Sequence, residues 1–193
     1  RKHRPKPFIT LSDGESLFQK TYLRARKIAD NNEVVIITNQ DLFFPLKDEV
    51  AKLNLPASKS IFITEPIGRD TTAAISTSAH VISKNITDDR IMFVMPSDHL
   101  ITKTDSLIDA IMTAKEFVSN GNLVTFGVKP TYPATAYGYI HAKDNFVKKF
   151  VEKPEKEIAK KYIAEADYFW NSGMFCMDSK SFFEELSLYS PDI

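Results

Sequence analysis

The chain has 193 residues, of which 43% are apolar and 26% are charged, a composition typical of one globular domain or a large part of one. Lys plus Arg and Asp plus Glu both number 25, so the formal net charge is zero. This balance argues against a general nucleic-acid or membrane-surface binder, because those proteins carry a basic excess.

The cysteine count and the hydropathy pattern further restrict the classes of protein to which this chain can belong. Cys176 is the single cysteine, so an intrachain disulfide and a cysteine-based metal site are excluded, which fits a reducing compartment. No apolar run reaches the about 18 residues that a membrane-spanning helix needs. No signal peptide is recognisable. We therefore expect a cytoplasmic protein with neither a nucleic acid nor a membrane as its partner.

The chain opens with an amphipathic helix, which Asp13 is predicted to cap. One face of this helix would carry Phe18, Tyr22, Ala25 and Ala29. Four apolar runs then predict buried parallel strands: VVIIT (34–38), IFIT (61–64), IMFVM (91–95) and LVTFGV (123–128). Further helices are predicted at 41–53, 70–87 and 104–120. Alternating strands and helices predict βαβ units with right-handed crossovers.

The pattern changes after Pro130. YGYIHA (137–142) and NFVKKFVEK (145–153) alternate as antiparallel strands do. A helix at 154–166, a strand at 168–177 and a helix at 179–189 complete the chain. The predicted fold class is α/β, a Rossmann-like doubly wound mixed sheet with helices on both faces and an antiparallel extension.

Four motifs follow or interrupt predicted strands: EPIGRDTTAAI (65–75), MPSDHL (95–100), FVEKP (150–154) and WNSGMF (170–175). In this order they resemble the sugar-phosphate nucleotidyltransferases, and particularly the mannose-1-phosphate guanylyltransferases of the bacterial type often fused to a mannose-6-phosphate isomerase. RPKPF (4–8) and YGYI (137–140) extend the resemblance over essentially the whole chain. It implies a domain of the nucleotidyltransferase type that joins GTP and mannose 1-phosphate into GDP-mannose and pyrophosphate, with Mg²⁺ as cofactor.

MPSDHL places Asp98 and His99 at the carboxyl end of a predicted strand, where open α/β sheets bind ligands. Asp98 can supply a hard oxygen ligand to a divalent cation, and the resemblance implies that it binds Mg²⁺ while Ser97 contacts the nucleotide. On the residues alone, Asp98 could equally cap the following turn. His99 could orient Asp98, contact the substrate or be a structural histidine.

EPIGRDTT is predicted to read the base. Glu65 is an acceptor-only carboxylate that can take both donors on the Watson–Crick edge of guanine, whereas thymine and uracil suit an amide better. Gly68 permits close backbone approach, and Arg69 could face the nucleotide or tie the loop together. GRDT can also be a helix N-terminus capped by Asp70 or Thr71, which is compatible with phosphate binding.

FVEKP and WNSGMF are assigned to the sugar. The resemblance implies that Glu152 binds sugar hydroxyls and that Lys153 approaches the sugar's phosphate. Adjacent strand residues face opposite sides, so both reach one cleft only if the strand bends; the alternative is a solvated charge pair. The amide of Asn171 can both donate to and accept from a hydroxyl, and Gly173 permits close approach of a sugar to the backbone.

The remaining assignments rest on the resemblance. Lys6 matches a lysine that contacts the triphosphate, and Tyr137 with Gly138 matches the segment that meets the sugar. Three departures, Asp70, Ala134 and Ala136, stand where the family usually has Asn, Glu and Gly.

The family's Gly-rich loop and a second metal-binding aspartate have no counterpart in the sequence. We therefore expect residues 1–193 to be one nucleotidyltransferase domain within a longer enzyme, inactive alone. Two rivals stay open: an enzyme for another nucleotide and hexose phosphate, and a non-catalytic homologue that binds sugar nucleotide and regulates a partner. Oligomeric state is also open, and a homo-oligomer is compatible with the sequence. The enzyme hypothesis requires the Asp98, Glu152–Lys153 and Asn171 segments to share one cleft.

Overall fold

The computed structural model describes residues 5–29, 33–56, 60–68, 70–85 and 90–193, with only the backbone of residue 85. The helices within these ranges are α1 (Leu17–Ile28), α2 (Gln40–Ala51), α3 (Asp70–Asn85), α4 (Thr104–Val118), α5 (Lys156–Ala164) and α6 (Ser179–Tyr189). The strands are β1 (Val34–Asn39), β2 (Ser60–Glu65), β3 (Ile91–Val94), β4 (Val124–Val128), β5 (Tyr139–Lys143), β6 (Phe146–Val151) and β7 (Tyr168–Asp178). Each overlaps a predicted element, so the predicted order of elements is confirmed.

The strands form two sheets. β1 and β2 pair in parallel, from Val34 opposite Ser60 to Asn39 opposite Glu65. β7 is the centre of a second, antiparallel sheet, because Cys176 is the partner of both Phe93 in β3 and Val124 in β4. β5 pairs with the start of β7 on the edge that also carries β3, and β6 pairs with β5.

This topology confirms the α/β class with both parallel and antiparallel pairing, but in the described residues the two kinds of pairing lie in separate sheets, and an antiparallel strand separates β3 from β4. β3 and β4 run in the same direction, as parallel neighbours would, yet β7 lies between them. The apolar run of β3 is explained by packing on both faces of the sheet, since Ile91 and Phe93 contact the clusters of α4 while Met92 and Val94 belong to the cluster of α3 and α6.

Helices cover both faces of the β7 sheet. On one face, α4 places Leu107 and Ile111 against Met174, and Val118 against Cys176. On the opposite face, side chains of α3 and α6 pack against Met92 and Met177; they are Ile75, Ala79 and Phe182. Removal of this apolar surface from water stabilises the fold by about 25 cal/mol per Å².

The first helix begins at a different cap from the one predicted. The Ser16 hydroxyl accepts a hydrogen bond from the Gln19 amide at 3.2 Å, and the Gln19 side chain accepts one from the Ser16 amide at 2.9 Å, which is a capping box. Asp13 is not the cap, because a turn at 12–14 separates it from the helix. Its carboxylate instead pairs with Lys20 and accepts a hydrogen bond from the Glu15 amide.

α1 connects the two sheets. Phe18 and Tyr22 lie in the buried cluster of β1 with Ile36, while Ile28 packs against the cluster under β3 and α4. An ion pair between Glu33 and Arg90, at 3.0 Å, joins the residues that immediately precede β1 and β3. The amino ends of these strands therefore lie together. Across the ranges that the structure describes, we find no helix that is both long and apolar enough to cross a bilayer.

Candidate functional site

The candidate site lies at an opening on one edge of β7. β5 pairs with this edge up to Trp170, and β3 pairs with it from Phe175 onward. Between these two pairings, the backbone of residues 171–174 borders an opening at this edge. The segment that leaves β3 at its carboxyl end and the segment that enters β5 both reach this opening.

The segment after β3 rests directly on β7. Gly173 has a φ of 66°, a left-handed conformation that glycine adopts without strain, and a Cβ there would be 3.3 Å from Pro96 Cγ. Any side chain at this position would therefore press on the segment that carries Ser97 and Asp98. The turn containing Asp98 is in this way set against the middle of β7.

Asp98 has the chemistry of a metal ligand. It is half-buried in a turn, and within the described part of the chain no group donates a hydrogen bond to its carboxylate, so turn capping does not occupy it. No cluster of three or more His, Cys, Asp or Glu suited to a metal is found among the described residues.

Glu152, Gly138 and Asn171 meet on the other side of the opening. A Cβ on Gly138 would lie 3.1 Å from Glu152 Oε2 and 3.6 Å from Asn171 Cβ, so the absence of a side chain lets the two polar groups converge. The Asn171 amide donates to the Gly138 carbonyl at 2.8 Å. The side-chain oxygen of Asn171 accepts from the Gly173 amide at 2.9 Å, which leaves its amide nitrogen for another partner.

The chain bends at Lys153, just after β6. Its φ of 33° is rare for a residue with a side chain, and strain of this kind concentrates at functional sites. Lys153 Nζ lies 3.0 Å from Glu152 Oε1, so both groups are on the same side of the chain. Their side chains are 63% and 73% exposed, which leaves them free to contact a ligand.

The base-reading segment lies at the carboxyl end of β2. Glu65 is half-buried there, opposite Asn39 of β1, and Gly68 and Thr71 are exposed. Asp70 begins α3 with a φ of 50°. Ile75, one turn into α3, packs in the cluster that includes Val94 at the carboxyl end of β3, so this segment and the Asp98 turn occupy the same side of the molecule. Arg69 lies outside the described residues.

Two of the assigned residues lie apart from this convergence. The Tyr137 ring contacts Trp170, with 5.3 Å between ring centroids. Trp170 and Asn171 are adjacent in β7 and face opposite sides of the sheet, so the Tyr137 side chain lies on the side away from Glu152. Lys6 is exposed on a short 3₁₀ helix (Lys6–Phe8) that buried Phe8 anchors beside β1.

Residues 2–193 match the family model described as nucleotidyl transferase. The chain belongs to the nucleotidyl transferase family. This nucleotidyl transferase chain is 36% identical, over 97% of its length, to a mannose-1-phosphate guanylyltransferase from Sinorhizobium fredii, and covers 38% of that protein. It is 36% identical, over its full length, to the xanthan biosynthesis protein XanB from Xanthomonas campestris, and covers 41% of it. It thus spans about two fifths of the length of these relatives.

Solved structures support the same family. A mannose-6-phosphate isomerase from Helicobacter pylori has a TM-score of 0.87 and 32% identity, with 100% of this nucleotidyl transferase chain and 73% of that chain covered. A protein named mannose-1-phosphate geranyltransferase from Thermus thermophilus has a TM-score of 0.83 and 27% identity, with 99% and 56% covered.

Proposed function

We propose that this nucleotidyl transferase domain acts in the transfer of a guanylyl group from GTP to mannose 1-phosphate. A phosphate oxygen of the sugar phosphate attacks the α-phosphorus of GTP. The bond to the β-phosphate breaks, and GDP-mannose and pyrophosphate are the products. No covalent enzyme intermediate is needed, so the protein contributes positioning and charge neutralisation.

One observation carries the proposal: a single opening on β7 brings the groups suited to a sugar next to the turn suited to a metal. Glu152, Gly138 and Asn171 converge on one side, and Pro96 leads into the Asp98 turn on the other. A hydroxyl-rich ring could be held by a carboxylate and an amide while its phosphate points toward a cation. The names of the relatives support mannose 1-phosphate as the sugar.

The remaining residues take supporting roles in this proposal. Mg²⁺, when bound, neutralises phosphate charge during the transfer. Asp98 holds it, while Lys6 and Lys153 balance the charge of the triphosphate and the sugar phosphate. Residues at the nucleotide are assigned as Glu65, Gly68, Arg69, Asp70, Thr71 and Ser97. A carboxylate at Glu65 favours guanine, and the amino end of α3 favours phosphate.

The test is pyrophosphate release by the full-length gene product that contains this chain. GTP, UTP and dTTP are each paired with mannose 1-phosphate and with glucose 1-phosphate, in the presence of Mg²⁺. We expect turnover to be highest with GTP and mannose 1-phosphate. A preference for another pair would identify a sister enzyme. Calorimetric binding of GDP-mannose without turnover of any pair would identify a regulatory homologue.

A further inference from the structure

β7 carries two extra residues at the opening. Thr125 of β4 is opposite Phe175, and Gly127 is opposite Asn171, so the single residue Phe126 faces three residues of β7. Such a bulge bends a strand and redirects its side chains, and bulges are frequent beside active sites. Here the bulge sets the positions of both Asn171 and Gly173.

Ser172 is a buried side chain within the bulge that ties it to β4. It is 7% exposed. Its hydroxyl donates to the Phe126 carbonyl at 2.5 Å and accepts from the Met174 amide at 3.1 Å. Both bonds are directed toward β4 or along β7, away from the opening. Ser172 is therefore built to fix the backbone and does not itself face a ligand.

The neighbours of Ser172 connect the two sides of the site. Asn171 converges with Glu152 at Gly138, and Gly173 supports Pro96 at the start of the Asp98 turn. The Gly173 amide donates to the Asn171 side chain at 2.9 Å. Without the bulge, the side-chain amide of Asn171 would no longer be held in a fixed position. The same applies to the Gly173 backbone, which supports Pro96.

We propose that Ser172 is a positioning residue that sets the affinity for the sugar phosphate by fixing Asn171 and Gly173. This inference rests on the proposed function for its substrate. It assigns Ser172 no contact with the reacting atoms. The affinity for nucleotide should depend on it less, because the base-reading segment lies on the other sheet and only the Asp98 turn rests on the bulge.

The first test measures Ser172→Ala in the full-length gene product. We expect the KM for mannose 1-phosphate to rise about tenfold, as for loss of a buried hydrogen bond, while the KM for GTP rises by a smaller factor. Thr125→Val is the matched control, since it removes another hydroxyl bond between the same strands, from Thr125 to the Met174 carbonyl at 3.3 Å. It should lower Tm comparably without raising that KM. An unchanged KM in Ser172→Ala, or an equal rise in the control, would overturn the proposal.

Ser172→Cys is used if the alanine variant fails to fold, because it keeps the volume with a weak donor. The same rise in KM is expected, and its absence counts against the proposal. Ser172→Thr, which retains the hydroxyl, should keep most of the wild-type affinity.

A second readout needs no activity. Amide hydrogen exchange at Asn171 and Gly173 should be about tenfold faster in Ser172→Ala, although neither amide bonds to Ser172. Equal exchange rates would overturn the positioning role. If the wild-type protein does not turn over mannose 1-phosphate, the proposed function fails, and the exchange rates still decide the role of Ser172.

Discussion

At the scale of single residues, the carboxylates differ in whether they already accept a hydrogen bond or form an ion pair. Asp178 accepts a hydrogen bond from the Ser181 amide at 2.8 Å and caps α6, and Asp13 pairs with Lys20. The carboxylate of Asp98 accepts none from any residue that the structure describes, although it lies in a half-buried turn. A carboxylate in this state is available to a cation.

Replacement of Asp98 by Asn should therefore abolish metal-dependent turnover. We expect kcat to fall by at least about 100-fold, because a bound cation supplies several kcal/mol of charge stabilisation. Steady-state rates across a Mg²⁺ titration would measure this. Asp105→Asn, an exposed carboxylate on α4 that pairs with Lys27, should leave the rates near wild type. Equal rates in the two variants would remove Asp98 from the metal site.

Glu152 offers a similar comparison. Glu152→Gln should raise the KM for mannose 1-phosphate about tenfold, since a charge-assisted hydrogen bond becomes a neutral one. Glu157→Gln is the control, because Glu157 is also exposed and pairs with a lysine, at 2.7 Å from Lys160. Initial-rate kinetics separate them. If Glu152→Gln raises the KM no more than the control does, Glu152 is a solvated charge pair with Lys153.

The burial of the Arg24 side chain leads to a prediction about stability. It is 5% exposed, and among the described residues its Nε has no hydrogen-bond partner while its guanidinium donates one side-chain hydrogen bond, to Thr21 at 3.4 Å. Burial lowers the pKa of this guanidinium, consistent with an unfavourable environment for its charge. Arg24→Met should raise the free energy of unfolding by about 1 kcal/mol or more in urea titration. Arg90→Met, which breaks the pair with Glu33, should lower it, and the opposite order would contradict this explanation.

At the scale of elements, α1 shows which local signals are decisive. Asp13 and Ser16 are both good capping residues, but only Ser16 has Gln three positions later, which is the capping-box pattern. Ser16 is also tied to the core, since its hydroxyl lies 2.5 Å from the Glu49 carboxylate on α2. The signal for the correct cap was thus present in the sequence, whereas the contact with Glu49 was not.

The two capping candidates predict different mutational effects. Ser16→Ala should lower the free energy of unfolding by about 2 kcal/mol, because it removes the cap and one partner of buried Glu49. Asp13→Ala should have a much smaller effect, because the ion pair of Asp13 with Lys20 lies at the surface. Chemical denaturation would measure both changes in the free energy of unfolding. A larger loss for Asp13→Ala than for Ser16→Ala would indicate that Asp13 is the cap.

The order of strands in a sheet was less accessible than the strands themselves. Apolar runs predicted the positions of β1 to β4, because a buried strand is visible in the sequence as a short continuous stretch of apolar residues. Pairing depends on residues distant in sequence, so nothing local indicated that β7 lies between β3 and β4. The contacts of Pro96 with Gly173, and of Glu152 with Gly138, arise from this pairing. The motifs identified the residues, and the central position of β7 explains why they meet.

The face on which a side chain lies was also hard to predict. Tyr137 belongs to a segment without regular periodicity, and its ring turns toward Trp170. The alternation of β7 then places it away from Asn171. Ser172 had no signal of its own, because a serine in a strand becomes a support only when a bulge turns its hydroxyl onto Phe126.

At the scale of the whole molecule, the central strand contains a natural reporter of unfolding. Cys176 is fully buried between β3 and β4, and burial raises its pKa to about 11 from 9.0. The folded state keeps the thiol proton where the unfolded state loses it. The stabilisation is complete below pH 9.0 and is lost as the pH rises through about 11.

We therefore expect the free energy of unfolding to fall between these two pH values, and Cys176→Ala to show a shallower decline. Urea titrations at several pH values would measure how the free energy of unfolding of each protein depends on pH. Equal pH dependence in the wild type and in Cys176→Ala would show that the thiol does not cause the decline. The thiol should also react with a maleimide at the rate of global opening, so fast labelling under native conditions would contradict its burial.

The division into two sheets has a consequence for how selectivity can change. The residues proposed to read the base end the parallel pair, whereas those proposed to hold the sugar surround β7. The residues proposed to read the base and those proposed to hold the sugar thus belong to separate hydrogen-bonded sheets. Exchange of the β5–β6 hairpin with that of a homologue would retarget the acceptor and leave the choice of nucleotide intact, so one scaffold can generate many donor–acceptor combinations.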